Sequence, residues 1–274
     1  MFSIKKQSAS SAEAGLPKDG RHATLQFHAN ETVRMPDPRQ SAESNRLVHT
    51  DLWREPPCYA EWHIIAALAG GLALDVSLGW PGQLAADVWA FAVFSWLLLT
   101  GGSLEKRALL ACMTLAGLGE ALLSLGWGLY DYQFRNIPVF VPAGHALLMT
   151  LGILLARRMP IWAIWLVPAA ALPYVVLGLW QGWDTAGAIL FLIFLACLMT
   201  GKARSPYVTM FALSLLLELY GTWLGNWAWR PLVPWLQLSN TNPPACSGAF
   251  YCVLDLLVLA SMRVLMRAKQ RSPS

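Results

Sequence analysis

The stretch from Glu120 to His145, EALLSLGWGLYDYQFRNIPVFVPAGH, places an ionisable residue inside an apolar helix that then leads into an aromatic, proline-rich loop. A carboxylate in hydrocarbon costs at least ~2.5 kcal/mol on insertion scales. Such a residue therefore needs a partner, a polar cavity or a chemical role. We expect the function of the chain to be located in this stretch.

A similar pattern returns about a hundred residues later, between Glu218 and Asp255. There the letters ELYGTWLGNWAWRPLVPW again place a glutamate nine to eleven residues before an aromatic-x-aromatic pair. Further landmarks keep their order in both halves, namely Trp80 with Trp180, Thr100 with Thr200, and Pro142 with Pro244. The shared spacing predicts an internal duplication. The alternative is coincidence, because Trp, Gly and Thr are common near any membrane interface.

Composition limits the class of protein. The 274 residues are 56% hydrophobic and only 13% charged, which leaves too little polar surface to cover a soluble globule. Runs of about twenty apolar residues recur from Tyr59 onward, and each is long enough to cross ~30 Å of hydrocarbon. The chain is therefore predicted to be an all-α, polytopic membrane helix bundle in contact with the bilayer. Its net charge of +4 does not indicate nucleic-acid binding, because the cations fall mainly in short loops and tails.

The chain divides into three predicted regions. Residues 1–56 form a disordered cytoplasmic tail, residues 57–158 a first four-helix repeat, and residues 159–274 a second. About eight membrane spans are expected, at roughly 60–79, 84–101, 107–129, 137–156, 160–180, 184–201, 205–225 and 247–266. Because four spans separate the two copies, the repeats are parallel and are related by a pseudo-two-fold axis along the membrane normal.

Charge asymmetry predicts the orientation in the membrane. The cations of one side lie in the loops near residues 105–107, 157–158 and 202–204 and in the C-terminal tail, whereas the other side carries only Arg135 and Arg230. By the positive-inside rule both termini are cytoplasmic, and a bacterial inner membrane is the expected location. Both aromatic loops then face outward.

Ionisable residues of both halves are expected at one depth. They are Glu120, His145, Glu218 and Asp255. If the pseudo-axis brings the two copies together, these groups surround one outward-facing cavity and can act as general acid and base. Burial favours the neutral form of a carboxyl group, so one of the two glutamates is expected to hold its proton. Alternatively, the glutamates tie helices together and the histidine is a hydrogen-bonded core residue.

Aromatic side chains near these residues are candidates for substrate binding, because ring faces stabilise a cation where water is excluded. They are Trp127, Tyr130, Tyr132, Trp223, Trp227, Trp229 and Tyr251. The alternative is that they are interfacial anchors, which is the usual role of aromatic residues at the end of a span.

No metal site or cofactor is predicted. His145 is the one histidine expected deep in a span, and a haem or di-metal centre usually needs more intramembrane ligands. The five cysteines contain no C-x-x-C pair, although a Cys246–Cys252 disulfide in an outer loop stays open as an alternative. Asp131 and Arg135 are expected to form an exposed ion pair. No P-loop, G-x-G-x-x-G, G-x-S-x-G or H-E-x-x-H motif is present.

Within the first stretch the chain resembles the membrane-embedded carotenoid-biosynthesis family that includes the C50 and monocyclic carotenoid hydratases. The likeness consists of Glu120 with Gly128, Tyr130 and Tyr132, followed by the I-P-x-F-V-P run at 137–142, and it covers about a third of the chain. The second half has tryptophan in place of tyrosine. The resemblance implies an enzyme that adds water across a terminal isoprenoid double bond, with an isoprenoid small molecule or membrane lipid as its partner.

Two other functions fit the pattern. Parallel repeats around a polar site at mid-membrane are also the plan of transporters and lipid carriers, although the inner halves of the third and seventh spans, residues 108–119 and 205–217, are mostly apolar. A scaffold subunit, whose polar residues only hold helices together, is the other alternative. The apolar inner halves favour an enzyme that hydrates or isomerises a double bond by acid catalysis.

Overall fold

The computed structural model describes residue 57 and residues 59–201 and 204–271, with side chains described up to residue 268. The predicted tail at 1–56, the cation at 202 and the side chains of the cations at 269 and 271 lie outside this described part. The described chain is mostly helical.

Eight α-helices run through the described residues. They are α1 (Ala60–Leu78), α2 (Trp80–Thr100), α3 (Ser103–Glu120), α4 (Phe140–Ala156), α5 (Ala163–Gln181), α6 (Thr185–Thr200), α7 (Arg204–Leu224) and α8 (Gly248–Arg271). A π-helical segment, Ala121–Trp127, continues α3 without a break. When the π-helical segment is counted with α3, the helix bounds follow the predicted spans to within five residues at each end.

Six of these helices are long and apolar enough to cross a membrane: α1, α2, α3 with its π-helical continuation, α5, α7 and α8. The other two described helices, α4 and α6, are apolar but have only 17 and 16 residues. At 1.5 Å per residue they rise about 25 Å, which is less than the ~30 Å of a hydrocarbon core. Length and composition therefore indicate a multi-pass helical membrane protein.

Four helices form the centre of the molecule. Helix α3 packs against α4, α4 against α7, α7 against α8, and α8 against α3, which closes a ring. The α1–α2 pair packs on the α4 side of the ring, and the α5–α6 pair packs on α7 and α8. Gly152 of α4 lies so close to Met210 of α7 that a Cβ atom would overlap the thioether. The two helices that carry the glutamates, α3 and α7, are opposite members of this ring.

A two-stranded antiparallel ribbon joins the ends of α3 and α7, which the all-α prediction missed. Strand β1 (Tyr130–Tyr132) follows the π-helical segment, and strand β2 (Trp227–Trp229) follows α7. Each strand begins shortly after a glycine in the left-handed conformation, Gly128 with φ 72° and Gly225 with φ 92°. A glycine in this conformation ends a helix without steric cost, so the chain can turn back over the helix end.

The loops beside the ribbon differ from the predicted arrangement in two respects. Asp131 pairs across the two strands with Arg230, at 3.1 Å between Oδ2 and Nε, rather than with Arg135. The hydrogen bonds to this carboxylate raise the pKa of the Arg230 guanidinium. Cys246 and Cys252 are buried free thiols, so no disulfide joins them.

Candidate functional site

Glu120 is the last residue of α3 before the π-helical segment, and its side chain is buried. Its Oε2 accepts hydrogen bonds from the hydroxyl groups of Tyr130 and Tyr132, each at 2.7 Å. Its Oε1 lies 3.5 Å from Nε2 of His145 in α4. The carboxyl group is therefore held by both aromatic residues of β1 and faces a histidine with its other oxygen.

Glu218 of α7 has surroundings of the same kind. Its Oε2 accepts hydrogen bonds from the indole Nε1 atoms of Trp227 and Trp229, at 2.9 and 3.0 Å. Its Oε1 accepts a hydrogen bond from the hydroxyl group of Tyr251 in α8 at 3.2 Å. Only 6% of Glu218 is exposed, and 7% of Glu120. Both acids thus lie in the interior of the bundle with three polar partners each.

The surroundings of the two acids meet at His145 and Tyr251. Their rings are stacked, with centroids 4.9 Å apart and an interplanar angle of 6°. We call the two glutamates and their six partners the carboxylate cluster. Its members are Glu120, Tyr130, Tyr132, His145, Glu218, Trp227, Trp229 and Tyr251. One cluster therefore joins residues from α3, α4, α7, α8 and both strands.

The geometry of the histidine turns its Nε2 atom toward Glu120. Nδ1 of His145 lies 2.9 Å from the carbonyl oxygen of Val141, which can only accept, so Nδ1 carries a hydrogen. Nε2 then faces Glu120 either as the lone pair of a neutral imidazole or as the N–H of an imidazolium. A proton that the pair shares sits on the carboxyl group in the first case and on the ring in the second. Either partner can therefore donate that proton and take it back.

Glu218 has no histidine beside either of its oxygens. The indole nitrogens of Trp227 and Trp229 are donors only, so Oε2 of Glu218 is an acceptor in either protonation state of the acid. The hydroxyl group of Tyr251 occupies its other oxygen. Glu218 is therefore fixed in orientation, whereas the Glu120–His145 contact is the place where a proton can move.

Two local features let the ribbon reach both acids. Glu120 lies ten residues before Tyr130, whereas Glu218 lies nine residues before Trp227. The π-helical segment absorbs the extra residue, because a turn with i→i+5 hydrogen bonds holds more residues than an α-helical turn. In α7, Gly221 provides the space for the Trp227 indole, since a Cβ atom at this glycine would overlap the ring.

Two cavities border the carboxylate cluster. The small cavity, of about 50 Å³, lies among α1, α2, α4 and α7. The lateral cavity, of about 230 Å³, lies between α3 and α8. The residues that line both are Glu120, Tyr130, His145, Glu218 and Tyr251. The acidic groups and the histidine therefore stand between two spaces, and each space gives access to them.

Three of the predicted site residues lie apart from the cluster. Asp255 is buried in α8 one turn beyond Tyr251, is not among the residues that line the two cavities, and its Oδ1 has no hydrogen-bond partner among the described residues. Trp223 is 78% exposed on α7. Trp127 donates a hydrogen bond to the carbonyl oxygen of Pro234 at 3.0 Å. The structure thus brings together eight of the eleven predicted side chains.

A polar group that the sequence analysis did not single out holds the ribbon in place. Asp75 of α1 is 1% exposed and accepts hydrogen bonds from Nδ2 of Asn226 at 2.7 Å and from Nε2 of Gln83 at 3.2 Å. Asn226 directly precedes β2, and its carbonyl oxygen accepts from the N–H of Gln133, which directly follows β1. Asp75 therefore anchors both strands at one end. The signal in the sequence is an aspartate inside the first apolar span.

The charges around the cluster limit what it can bind. No lysine or arginine is among the residues that line the two cavities. Across the residues that the structure describes, no three or more His, Cys, Asp and Glu side chains are grouped so as to hold a metal ion. The site therefore offers two acids and one base for proton transfer, but no lysine or arginine for an anionic group.

Comparisons with protein-family models, with curated proteins and with solved structures give no match to the chain. The fold and the site define a multi-pass helical membrane protein with a buried cluster of acidic, basic and aromatic side chains.

Proposed function

We propose that the protein is an integral membrane enzyme that transfers a proton to a carbon–carbon double bond of a hydrophobic, isoprenoid-like lipid. The observation that carries the proposal is the 3.5 Å contact between Oε1 of Glu120 and Nε2 of His145, which places an acid beside a base at the border of two cavities. A general acid must lie within reach of the reacting atom and must regain its proton after each turnover. The Glu120–His145 pair meets both requirements.

The proposed reaction begins with the transfer of this proton to one alkene carbon, where the π electrons form the new C–H bond. The positive charge left on the other carbon faces the rings of the cluster, which stabilise a cation by ~2 kcal/mol where water is excluded. Water from the small cavity, oriented by Glu218, then adds its oxygen to this carbon. The proton that the water loses returns to the Glu120–His145 pair, so the net change is the addition of H₂O. Loss of a neighbouring C–H proton instead gives the isomerised alkene.

The size of the small cavity suits this role. A single water needs roughly 10–15 Å³ of accessible space, and it needs two to four polar partners. The cavity has about 50 Å³, and its walls include Glu120, Glu218 and the hydroxyl-bearing Tyr132. Water is therefore the reactant that this cavity is suited to hold.

Helix packing supports the arrangement of the chain as two parallel four-helix repeats, 57–158 and 159–274. The contact of α3 with α8 corresponds to that of α7 with α4, and the contact of α2 with α4 corresponds to that of α6 with α8. Each half also supplies one glutamate that accepts from both aromatic residues of its own strand. In the proposed layout the cluster lies on the pseudo-axis near the outer face of the membrane, with both termini in the cytoplasm.

A scaffold role is the second candidate, and one observation favours it. All four oxygens of the two glutamates have a polar partner within the cluster, as expected of acids that only fasten the ribbon to the helices. In that case the cluster contributes to stability and takes no reactant.

Exchanging Glu120 and Glu218 separately for Gln distinguishes the two candidates, because the amide keeps the size of the side chain but cannot donate an acid proton. General acid catalysis contributes about 10²–10⁴-fold to a rate, so Glu120→Gln is expected to lower product formation by at least about 100-fold. Product is measured by mass spectrometry of membrane lipids and pigments. Glu61→Gln is the matched control, since Glu61 pairs with Arg158 outside the cluster.

Both variants must be shown to be folded by their melting temperature in detergent. If membranes with the folded Glu120→Gln protein and those with the folded Glu218→Gln protein have the same lipid profile as membranes with the unmodified protein, the enzyme proposal is wrong and the scaffold role stands.

A further inference from the structure

The lateral cavity is apolar except at one end. Its walls come from α3, the π-helical segment and α8, and their apolar members are Leu115, Ala116, Leu122, Leu123, Phe250, Val253, Leu254 and Leu257. The side chains of Leu122 and Leu257 are 64% and 50% exposed, so the cavity reaches the outer surface of the bundle between these helices. Its polar end consists of Glu120, His145 and Glu218. The cavity therefore runs from the side of the bundle to the carboxylate cluster.

Gly119 keeps this passage open. It lines the lateral cavity one residue before Glu120, and a Cβ atom built on it would meet no other atom within 4 Å. Its backbone is helical, so the glycine is not required by the conformation of the chain. Gly79, Gly128, Gly182 and Gly225, in contrast, have positive φ angles. Because position 119 has no side chain, the lateral cavity stays open next to the carboxyl group of Glu120.

Volume and charge restrict the occupant of this space. An apolar cavity of about 150 Å³ holds one benzene-sized group, and the lateral cavity has about 230 Å³. It can therefore take the end of a chain rather than a whole lipid. No lysine or arginine lines it, and two carboxyl groups stand at its inner end. A phosphate or carboxylate head would lose its hydration there, would meet two carboxyl groups, and would find no lysine or arginine.

We infer that the gap between α3 and α8 is a lateral entrance through which the uncharged end of a lipid chain reaches Glu120, with the charged head, if any, left outside the bundle. The inference rests on the proposed function for the reaction that follows, but binding at the entrance is measurable without turnover. Its occupant enters from the bilayer side, while water occupies the small cavity on the other side of the cluster.

The test uses two photoreactive C10 probes with the same chain, a diazirine analogue of geraniol and its phosphate monoester. Each is added to the purified full-length protein in lipid nanodiscs, irradiated, and mapped by tandem mass spectrometry of the peptides. The uncharged probe is expected to label residues 115–123 and 250–257. The phosphate ester is expected to label them at least about tenfold less, which corresponds to ~1.4 kcal/mol of binding free energy.

Variants at position 119 supply the second arm of the test. Gly119→Leu places a large side chain in the passage, and its Cβ atom meets no atom within 4 Å outside its own stretch of helix. The variant is therefore expected to fold and to lose the labelling at 115–123 and 250–257. Gly119→Ala adds a single methyl group and is expected to retain most of the labelling. Gly126→Leu is the bulk-matched control, because Gly126 is an exposed residue of the π-helical segment that is not among the lining residues.

The outcomes separate this inference from the proposed function. Equal labelling of the unmodified protein and folded Gly119→Leu, or equal labelling by the two probes, overturns the lateral entrance. Labelling that Gly119→Leu abolishes, together with loss of product in Glu120→Gln, supports both. In the third outcome, Gly119→Leu abolishes the labelling, while Glu120→Gln and Glu218→Gln leave the lipid profile unchanged. This result supports the lateral entrance and overturns the enzyme proposal.

Discussion

The two glutamates of the cluster are held by different kinds of donor. A phenol hydroxyl group can donate or accept a hydrogen bond, whereas an indole N–H can only donate. Glu120 is therefore surrounded by groups that can both donate and accept a hydrogen bond. They are the phenols of Tyr130 and Tyr132 and the imidazole of His145. Glu218 is fixed by two indoles. This difference is why the proposed reaction assigns proton donation to the first acid and the orientation of water to the second.

Removing one hydroxyl group from the Glu120 side tests how much the cluster contributes to stability. Tyr132→Phe keeps the ring and deletes one donor to Oε2 of Glu120. Oε2 keeps the hydroxyl group of Tyr130 as a donor, so the change removes one hydrogen bond without leaving the acceptor unpaired. The free energy of unfolding is expected to fall by about 0.5–1.5 kcal/mol. The measurement is a denaturant titration in detergent micelles. Tyr59→Phe is the control, because Tyr59 is 72% exposed, and equal stability of the two variants would contradict the prediction.

The positions of the individual site residues along their helices could be predicted to about one helical turn. A rise of 1.5 Å per residue gives the depth of Glu120, Glu218 and His145 without any knowledge of packing. The same count places Asp255 near that depth, but Tyr251, four residues earlier on α8, is the residue that contacts Glu218. Depth alone cannot choose between two side chains one turn apart. That choice depends on where α8 begins and on how α8 packs against α3 and α7.

The π-helical segment gives Glu120 the same relation to its strand that Glu218 has to the other strand. Ten residues separate Glu120 from Tyr130, and nine separate Glu218 from Trp227, yet both strands pair in register. Without the wider turn the extra residue would rotate β1 relative to the acid by about 100°. A π-helical turn costs hydrogen-bond quality, and such turns are often found at functional sites. Here it brings the hydroxyl groups of β1 to Glu120.

Deleting one residue tests this role of the π-helical segment. Removal of Leu125, which is 66% exposed and lines neither cavity, is expected to turn the segment into an ordinary α-helix and to give the nine-residue spacing of the other half. The variant should therefore stay folded, with a melting temperature within a few degrees of the unmodified protein, as measured by differential scanning fluorimetry in detergent.

The matched control is the removal of Leu219, which is 49% exposed in α7. Because α7 has no extra residue to lose, this deletion shortens the spacing to the Trp pair and is expected to lower the melting temperature strongly. If the two deletions have the same effect, the π-helical segment does not compensate for an inserted residue.

The helices could be predicted from the sequence, but the ribbon could not. Apolar runs of about twenty residues give the spans, and Gly128 and Gly225 give the ends of two of them. The strands are three residues long, and their partners lie about a hundred residues apart with no turn between them. No local pattern specifies such a pairing. The contacts that depend on it, Asp131 with Arg230 and Asp75 with Asn226, were missed for the same reason.

Large apolar side chains of the described residues lie on the outer surface of the molecule, while four acids of its helices lie inside. Among the most exposed residues are Leu84, Val88, Leu99, Ile161 and Trp180, whereas Asp75, Glu120, Glu218 and Asp255 are all less than 8% exposed. Apolar patches of this extent would lead to aggregation in water, but they match the hydrocarbon of a bilayer. This distribution of side chains is therefore the one expected of a protein surrounded by lipid. It does not depend on the orientation across the bilayer, which is predicted from the charged loops instead.

The orientation predicted from those loops can be measured with single cysteines. The four described native cysteines are buried, so a Cys58→Ser protein provides a background with no accessible thiol among the described residues. Two single-cysteine variants are made in this background. The first is Leu236→Cys, in the exposed loop after β2, and the second is Ser274→Cys, at the C-terminal end of the sequence. By the positive-inside rule, a membrane-impermeant maleimide is expected to label the first in intact cells and the second only after permeabilisation. The opposite labelling pattern would mean that the carboxylate cluster faces the cytoplasm. Water would then reach the small cavity from the cytoplasmic side. The lateral entrance between α3 and α8 would not be affected, because it opens to the bilayer.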